Sequence, residues 1–187
     1  MTRRNKWDRR YGEPGLAYGT EPQQQGRQYI VKQYCYYQSP IGKLLLIGKN
    51  GELEALHFPN APEQQQLADD WQYDETAFQE ALKQLAEYFS GKRQQFDLKL
   101  APSGTAFQQR VWQELRKIPF GRTASYGEIA ERIGNAKACR AVGMANSKNP
   151  IPIIVPCHRV IGKNGSLTGF GGGLEVKKQL LQLEEGV

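Results

Sequence analysis

Residues 125–145 read SYGEIAERIGNAKACRAVGMA, and this stretch decides the fold. Ser125 followed three positions later by Glu128 is the spacing of a capping box, in which hydroxyl and carboxylate satisfy two unpaired N–H groups at a helix start. Ile129 and Ile133 recur at helical spacing, and Gly134 supplies a stop. Asn135 is placed to cap a second helix running through Arg140 and Ala145. Two short helices across a glycine turn make a helix-turn-helix. The second helix carries little bulk, with Ala136, Ala138, Ala141, Gly143 and Ala145 interleaved with the charges of Lys137, Arg140 and Lys148. A helix so thinly clad can press into a minor groove about 6 Å wide, and its alanines can equally pack inward against the domain.

Working outward, Thr105 and Gln108 repeat the capping-box spacing ahead of Phe107, Val111 and Leu115, and Pro119 with Gly121 ends that helix. Pro102-Ser103-Gly104 makes a domain junction, leaving an N-terminal domain over 29–102 and a C-terminal domain over 103–187. The N-terminal domain begins with β-prone runs at Tyr29 to Tyr37, Lys43 to Gly48 and Glu52 to Phe58. Ser39-Pro40-Ile41-Gly42 separates the first two, and Asn50-Gly51, favoured where both turn residues need positive φ, separates the last two. Phe78, Leu82, Leu85 and Phe89 predict a helix closed by Gly91, and the alternation of Phe96, Leu98 and Leu100 predicts a strand. The fold class is therefore α/β, with a helix-turn-helix domain at the C-terminal end. Residues 1–28, arginine-bearing and ending in Gln23-Gln24-Gln25-Gly26, read as a disordered basic tail whose Arg3, Arg4, Arg9 and Arg10 could add phosphate contacts.

The chain has 187 residues and a net charge of +6, with the basic excess in the tail and in 103–187 and an acidic stretch between. That balance favours a polyanionic partner without identifying it. Cys35, Cys139 and Cys157, with His57 and His158, offer no CxxC or HxxxH spacing, so neither a disulfide scaffold nor a metal site is expected. The first thirty residues lack a leader-like apolar run, and runs such as Leu44 to Ile47 are too short to cross a bilayer. A cytoplasmic protein without membrane contact is expected. Cys35 and His57 read as half-buried sheet residues, Cys139 as a small packing residue and Arg159 as a structural pairing partner.

Chemistry concentrates after Ile151-Pro152-Ile153-Ile154-Val155, which reads as a short buried strand leading into Pro156-Cys157-His158-Arg159-Val160. A thiol is a good nucleophile only as thiolate, so it needs a base or positive surroundings. Successive strand residues point to opposite sides, so Cys157 and His158 cooperate only at a turn or through water. The pentapeptide, together with Asn149-Pro150-Ile151-Pro152, Ser125-Tyr126-Gly127-Glu128 and Arg140-Ala141-Val142-Gly143, resembles the O6-alkylguanine-DNA alkyltransferases, or methylated-DNA-protein-cysteine methyltransferases. The resemblance runs from Phe107 to Glu184 and extends more loosely over 29–100.

That resemblance implies a ribonuclease-H-like α/β domain followed by a winged-helix-like alkyltransferase domain. It implies Cys157 as an irreversible alkyl acceptor and His158 as the residue that takes the thiol proton through a water. Glu184, on a terminal helix beginning near Leu174, is implied as the carboxylate orienting His158. Tyr126 corresponds to a tyrosine that meets guanine N3 and assists leaving-group protonation, and Asn149 to a hinge between the DNA-binding helix and the active-site strand. Arg140 corresponds to a finger that fills the base stack once the nucleotide is flipped, with Ala138, Ala141 and Gly143 on the helix that enters the minor groove. The backbone carbonyls of Cys157 and Val160 are implied to accept from the guanine amino group, and Gly169-Phe170-Gly171-Gly172-Gly173 to form a lid. Some relatives have Tyr and Ser where this chain has Phe170 and Gly171, so a lid hydroxyl is absent while the amide donor is kept. The four-ligand zinc sites of some relatives' N-terminal domains cannot be assembled here.

The expectation is a DNA repair protein without cofactor or metal, acting once on double-stranded DNA carrying O6-alkylguanine, and on O4-alkylthymine. It would act as a monomer, singly or cooperatively along the duplex. Three readings compete. A non-catalytic lesion-binding module is opposed by the set Cys157, His158 and Glu184. A helix-turn-helix transcription factor would select an operator sequence, and a thiol hydrolase would need an oxyanion site that the sequence does not display.

Overall fold

Leu44-Leu45-Leu46-Ile47 is buried on both faces, so the strand that holds it lies inside a sheet. The computed structural model describes residues 31–59, 61 and 67–186, and the expected tail falls outside them. Strands β1 (Gln33–Ser39), β2 (Gly42–Lys49), β3 (Glu52–His57) and β4 (Gln72–Tyr73) form one sheet in the order β3-β2-β1-β4. The first three make an antiparallel meander, and β4 joins β1 in parallel. Asn50 and Gly51 both take positive φ, 52° and 74°, as the tight turn between β2 and β3 requires. Helix α1 (Gln79–Phe89) buries Ala81, Leu85 and Tyr88, and ends before Gly91.

Two expectations for this half need correction. Phe96 to Leu100 alternates between half-buried and exposed as a strand would, yet it forms only a single bridge to β3, Leu53 with Leu100. Leu53 N–H donates to Lys99 O, and Ala101 N–H donates to Leu53 O. A period-two pattern reports which face is buried but not whether a ladder of partners is available. Cys35 is fully buried rather than half-buried, because β1 lies between β2 and β4 and Cys35 faces the core. His57 is half-buried at the end of β3, as expected.

In the second half, α2 (Ala106–Leu115) and α3 (Tyr126–Arg132) both start with complete capping boxes, Thr105 with Gln108 and Ser125 with Glu128. Gly134 takes φ 76° in the turn after α3, a conformation that L side chains rarely adopt. Asn135 does not cap the next helix: its side chain makes no cap hydrogen bond, and a 3-10 turn at Ala136–Ala138 precedes α4 (Cys139–Ser147). Strands β5 (Ala124–Ser125) and β6 (Val160–Ile161) pair in parallel, and α5 (Leu174–Glu185) closes the chain.

One continuous apolar core joins both halves, from Leu44 and Leu56 through Trp112 and Val142 to Val160 and Leu180. Buried Trp112 donates Nε1–H to Ala145 O at 2.9 Å and so ties α2 to α4. We predict that Trp112→Phe, which keeps most of the buried area and loses this bond, destabilises the fold by about 1–2 kcal/mol in urea denaturation.

Candidate active site

The segment Asn149 to Cys157 is shaped by its own side chains. Pro150, Pro152 and Pro156 lack an N–H, so the expected strand over 151–155 cannot join a ladder and forms a buried tight turn instead. Asn149 staples it: Nδ2 donates to Val155 O at 2.7 Å, and Oδ1 accepts from Ile151 N–H at 3.1 Å. Val155 N–H donates to Ile151 O at 2.9 Å. At its apex Ile153 takes φ 74°, a strained conformation for a β-branched residue, held by full burial and these bonds. The edge of β3 docks the segment through Leu56 N–H to Pro150 O at 2.8 Å. A 3-10 turn over Cys157–Arg159 follows, so the thiol and the imidazole sit on a turn, where sequence neighbours can cooperate.

Glu184, in the last turn of α5 and 3% exposed, is the centre of the buried polar array. Its Oε1 accepts from Tyr88 Oη–H at 2.8 Å and Arg159 Nη2 at 2.9 Å, and lies 2.8 Å from His158 Nε2. Its Oε2 accepts from Arg159 Nε at 2.8 Å and Gly121 N–H at 3.2 Å. Gly121 takes φ 68°, and a Cβ there would come within 3.0 Å of Glu184 O. Arg159 also donates to Ile118 O at 2.7 Å, so it is the structural partner expected. Burial opposes ionisation of Glu184, but the bonds from His158 and Arg159 hold its carboxyl down at about 2.

Burial pulls His158 below its usual value, against the upward influence of Glu184. A neutral imidazole beside an ionised carboxylate must carry its proton on Nε2, which fixes Nδ1 as an acceptor. Nδ1 is buried with no partner among the described residues. Burial raises the Cys157 thiol to about 11, with Asn149 and Lys177 acting in the opposite sense, so the resting sulfur is protonated and requires a base.

The outer surface of the site is built by α3, α4 and the 168–171 loop. Tyr126, Cys139, Arg140, Gly143, Ser147, Thr168, Gly169, Phe170 and Gly171 line an open depression of about 560 Å³. Tyr126 shares a hydrogen bond with Thr168 Oγ1 at 2.9 Å, and its ring lies against Gly143. Arg140 and Ala141 are exposed, Ala138 and Gly143 half-buried, and Ala145 buried, so the small residues divide between surface and interior. Cys139 is exposed, contrary to its expected packing role, because it starts α4 on the outer side. Phe170 lies 5.3 Å from the Phe58 ring and 6.5 Å from His158, and Gly171 is exposed beside it. Val160 is buried, and its carbonyl accepts from Lys177 Nζ at 2.6 Å.

Three residues of the array escape sequence reasoning. Tyr88 meets Glu184 across 96 positions of sequence, and nothing local announces the contact. Asn146, buried on α4, donates to Cys157 O at 3.4 Å. Lys177 is fully buried and also reaches Thr168 O at 3.2 Å. For Lys177 there was a signal: Lys177, Leu180 and Glu184 recur at helical spacing on one face of α5. Among the described residues no group of three or more His, Cys, Asp or Glu side chains gathers to hold a metal.

A helix-turn-helix unit beside a buried cysteine that adjoins a histidine-glutamate pair marks out a DNA-binding protein with a single buried thiol at its site. Residues 106–186 match the family model of the 6-O-methylguanine DNA methyltransferase DNA-binding domain, and residues 32–102 that of its ribonuclease-like domain. The methylated-DNA-protein-cysteine methyltransferase of Methanosarcina acetivorans is 52% identical over 151 residues, 81% of this chain and 97% of that one. Its counterpart in Mycobacterium leprae is 52% identical over 147 residues, 79% and 88% of the two chains. The crystal structure of Mycobacterium tuberculosis OGT in complex with DNA matches with a TM-score of 0.77 at 49% identity, covering 82% of this chain and 93% of that one. The chain belongs to the methylated-DNA-protein-cysteine methyltransferase family.

The array also dictates an acid response. The depressed Glu184 carboxyl adds stability that is complete above its ordinary 4.5 and is lost as pH falls toward about 2, and neutral His158 acts in the same sense below its ordinary 6.5. Urea midpoints should therefore decline with acid. Glu184→Gln should lower the midpoint at neutral pH and flatten its decline between pH 4.5 and 2.

Proposed function

We propose that the protein repairs DNA by moving a methyl or larger alkyl group from guanine O6, and from thymine O4, onto Cys157 in one irreversible event. The observation that carries this reading is the locked imidazole: Glu184 holds Nε2 of His158 and leaves Nδ1 as a buried acceptor, without a partner among the described residues, one residue from the thiol. His158 takes the thiol proton at Nδ1 through a water. The thiolate attacks the alkyl carbon, the S–C bond forms as the C–O6 bond breaks, and the electron pair stays on O6. The departing base gains one proton for the one the thiol lost, with Tyr126 at N3 assisting, so the exchange balances. The thioether is inert, and each chain acts once.

The reacting carbon is out of reach inside a duplex, so the nucleotide must be flipped out, at a cost of a few kcal/mol in unstacking. Arg140 fills the vacated stack, its planar cation both stacking and hydrogen-bonding. Ala138, Ala141 and Gly143 let α4 approach the minor groove. The carbonyls of Cys157 and Val160 select the guanine amino group, Phe170 and Gly171 cover the pocket, and Asn149 holds the turn beneath the sulfur. The two domains meet at Pro102-Ser103-Gly104. A cytoplasmic setting suits this chemistry: Cys35, Cys139 and Cys157 are all free thiols, and no helix among the described residues is long and apolar enough to cross a membrane.

Intact-mass analysis after mixing with methylated duplex should show one methyl adduct, mapped to Cys157. Specific operator binding without an adduct, or turnover on an acyl substrate, would overturn the reading. Cys157→Ala should abolish transfer and retain DNA binding. Arg140→Ala should slow reaction with duplex by roughly tenfold or more while leaving the free base O6-methylguanine nearly unaffected. Equal losses on both substrates would contradict the finger role.

A further inference from the structure

We propose that Tyr88, contributed by the ribonuclease-like domain, is a positioning residue of the alkyl-transfer relay, its hydroxyl sharing the Glu184 oxygen that holds His158 and setting the basicity of that imidazole. This assignment rests on the function proposed above. Tyr88 Oη and His158 Nε2 both lie 2.8 Å from Glu184 Oε1. The phenol is fully buried, wedged among Phe89, Phe96 and Phe120 at ring separations of 5.2, 5.4 and 6.0 Å. That packing fixes where the hydroxyl points. Burial, followed by the adjacent Glu184 charge, pushes the phenol far above its usual range, so it stays protonated and donates.

The consequence follows from how a carboxylate shares its charge. A donor on Oε1 draws electron density from the lone pairs that face the imidazole, and so weakens the pull that favours protonated His158. The charged and titratable groups around this pair are Tyr88 from α1, Arg159 and Cys157 from the same turn as His158, and Lys177 and Glu184 from α5. Arg159 and Lys177 oppose a charged imidazole. Tyr88 adds to their effect with no charge of its own. It also makes the ribonuclease-like domain, which holds neither Cys157 nor His158, a participant in the chemistry.

The test is the pH dependence of alkyl transfer to Cys157, measured with methylated duplex and with free O6-methylguanine, alongside an NMR titration of the His158 ring in the unreacted protein. Tyr88→Phe keeps the ring packing and removes one neutral donor. The acid limb of the rate profile and the His158 titration should both move upward by about half to one pH unit, equally on both substrates, with duplex affinity unchanged. Replacing Tyr88 by 3-fluorotyrosine, a stronger donor in the same ring, should move both downward and covers the case in which Tyr88→Phe does not fold. Profiles that superpose on the parent, whatever happens to the melting temperature, overturn the proposal. If the unaltered protein gains no methyl group on Cys157, the functional reading fails instead; the NMR titration still reports on Tyr88.

Discussion

The buried polar array of this protein is built around one carboxylate, Glu184, kept ionised in the interior. An isolated buried carboxylate would take up a proton, because desolvation penalises its charge by several kcal/mol. Glu184 avoids this by accepting from Arg159, His158, Tyr88 and the Gly121 amide at once. Arg159 brings the full countercharge, which frees His158 to remain neutral. Were His158 the only cationic partner, the ion pair would put a proton on Nδ1 as well and leave it no acceptor. In the proposed relay the Arg159 guanidinium is thus a condition for histidine to serve as a base, although it lies outside the relay itself.

The same carboxylate unites parts of the chain that are far apart in sequence. It ties α5 to the Cys157–Arg159 turn, to the loop at Gly121 and to α1. Before the sulfur in sequence, Asn149 closes a turn whose prolines have no N–H to offer a ladder, and Trp112 holds α4 to α2. The turn that carries the thiol is fastened by hydrogen bonds at Val155 before it and at Arg159 after it.

The sequence was most legible where physics is local. Both capping boxes, the Asn50-Gly51 turn and the helix ended by Gly91 depend on residues within a few positions of one another, and all formed as read. Reading failed where the outcome turned on partners elsewhere. Phe96 to Leu100 has the alternation of a strand but finds only one bridge, and Ile151 to Val155 has the composition of a buried strand while its prolines deny it a ladder. The positions of Cys157, His158 and Glu184 in one array followed from resemblance, since no spacing rule joins residues 26 apart. Tyr88 was invisible for the same reason, at greater separation.

The outer edge of β3 has a further significance. Unsatisfied strand edges recruit other chains, and proteins commonly guard them with short strands or covering segments. Here the edge is sheathed by the protein's own backbone, at Lys99 to Ala101 on one stretch and at Pro150 on another, while the opposite margin of the sheet is only the two-residue β4. If each chain acts once, as proposed, every transfer leaves one spent copy behind. The segment that carries the sulfur thus doubles as cover for the β3 edge, so the site and the protection of the sheet margin share one piece of backbone.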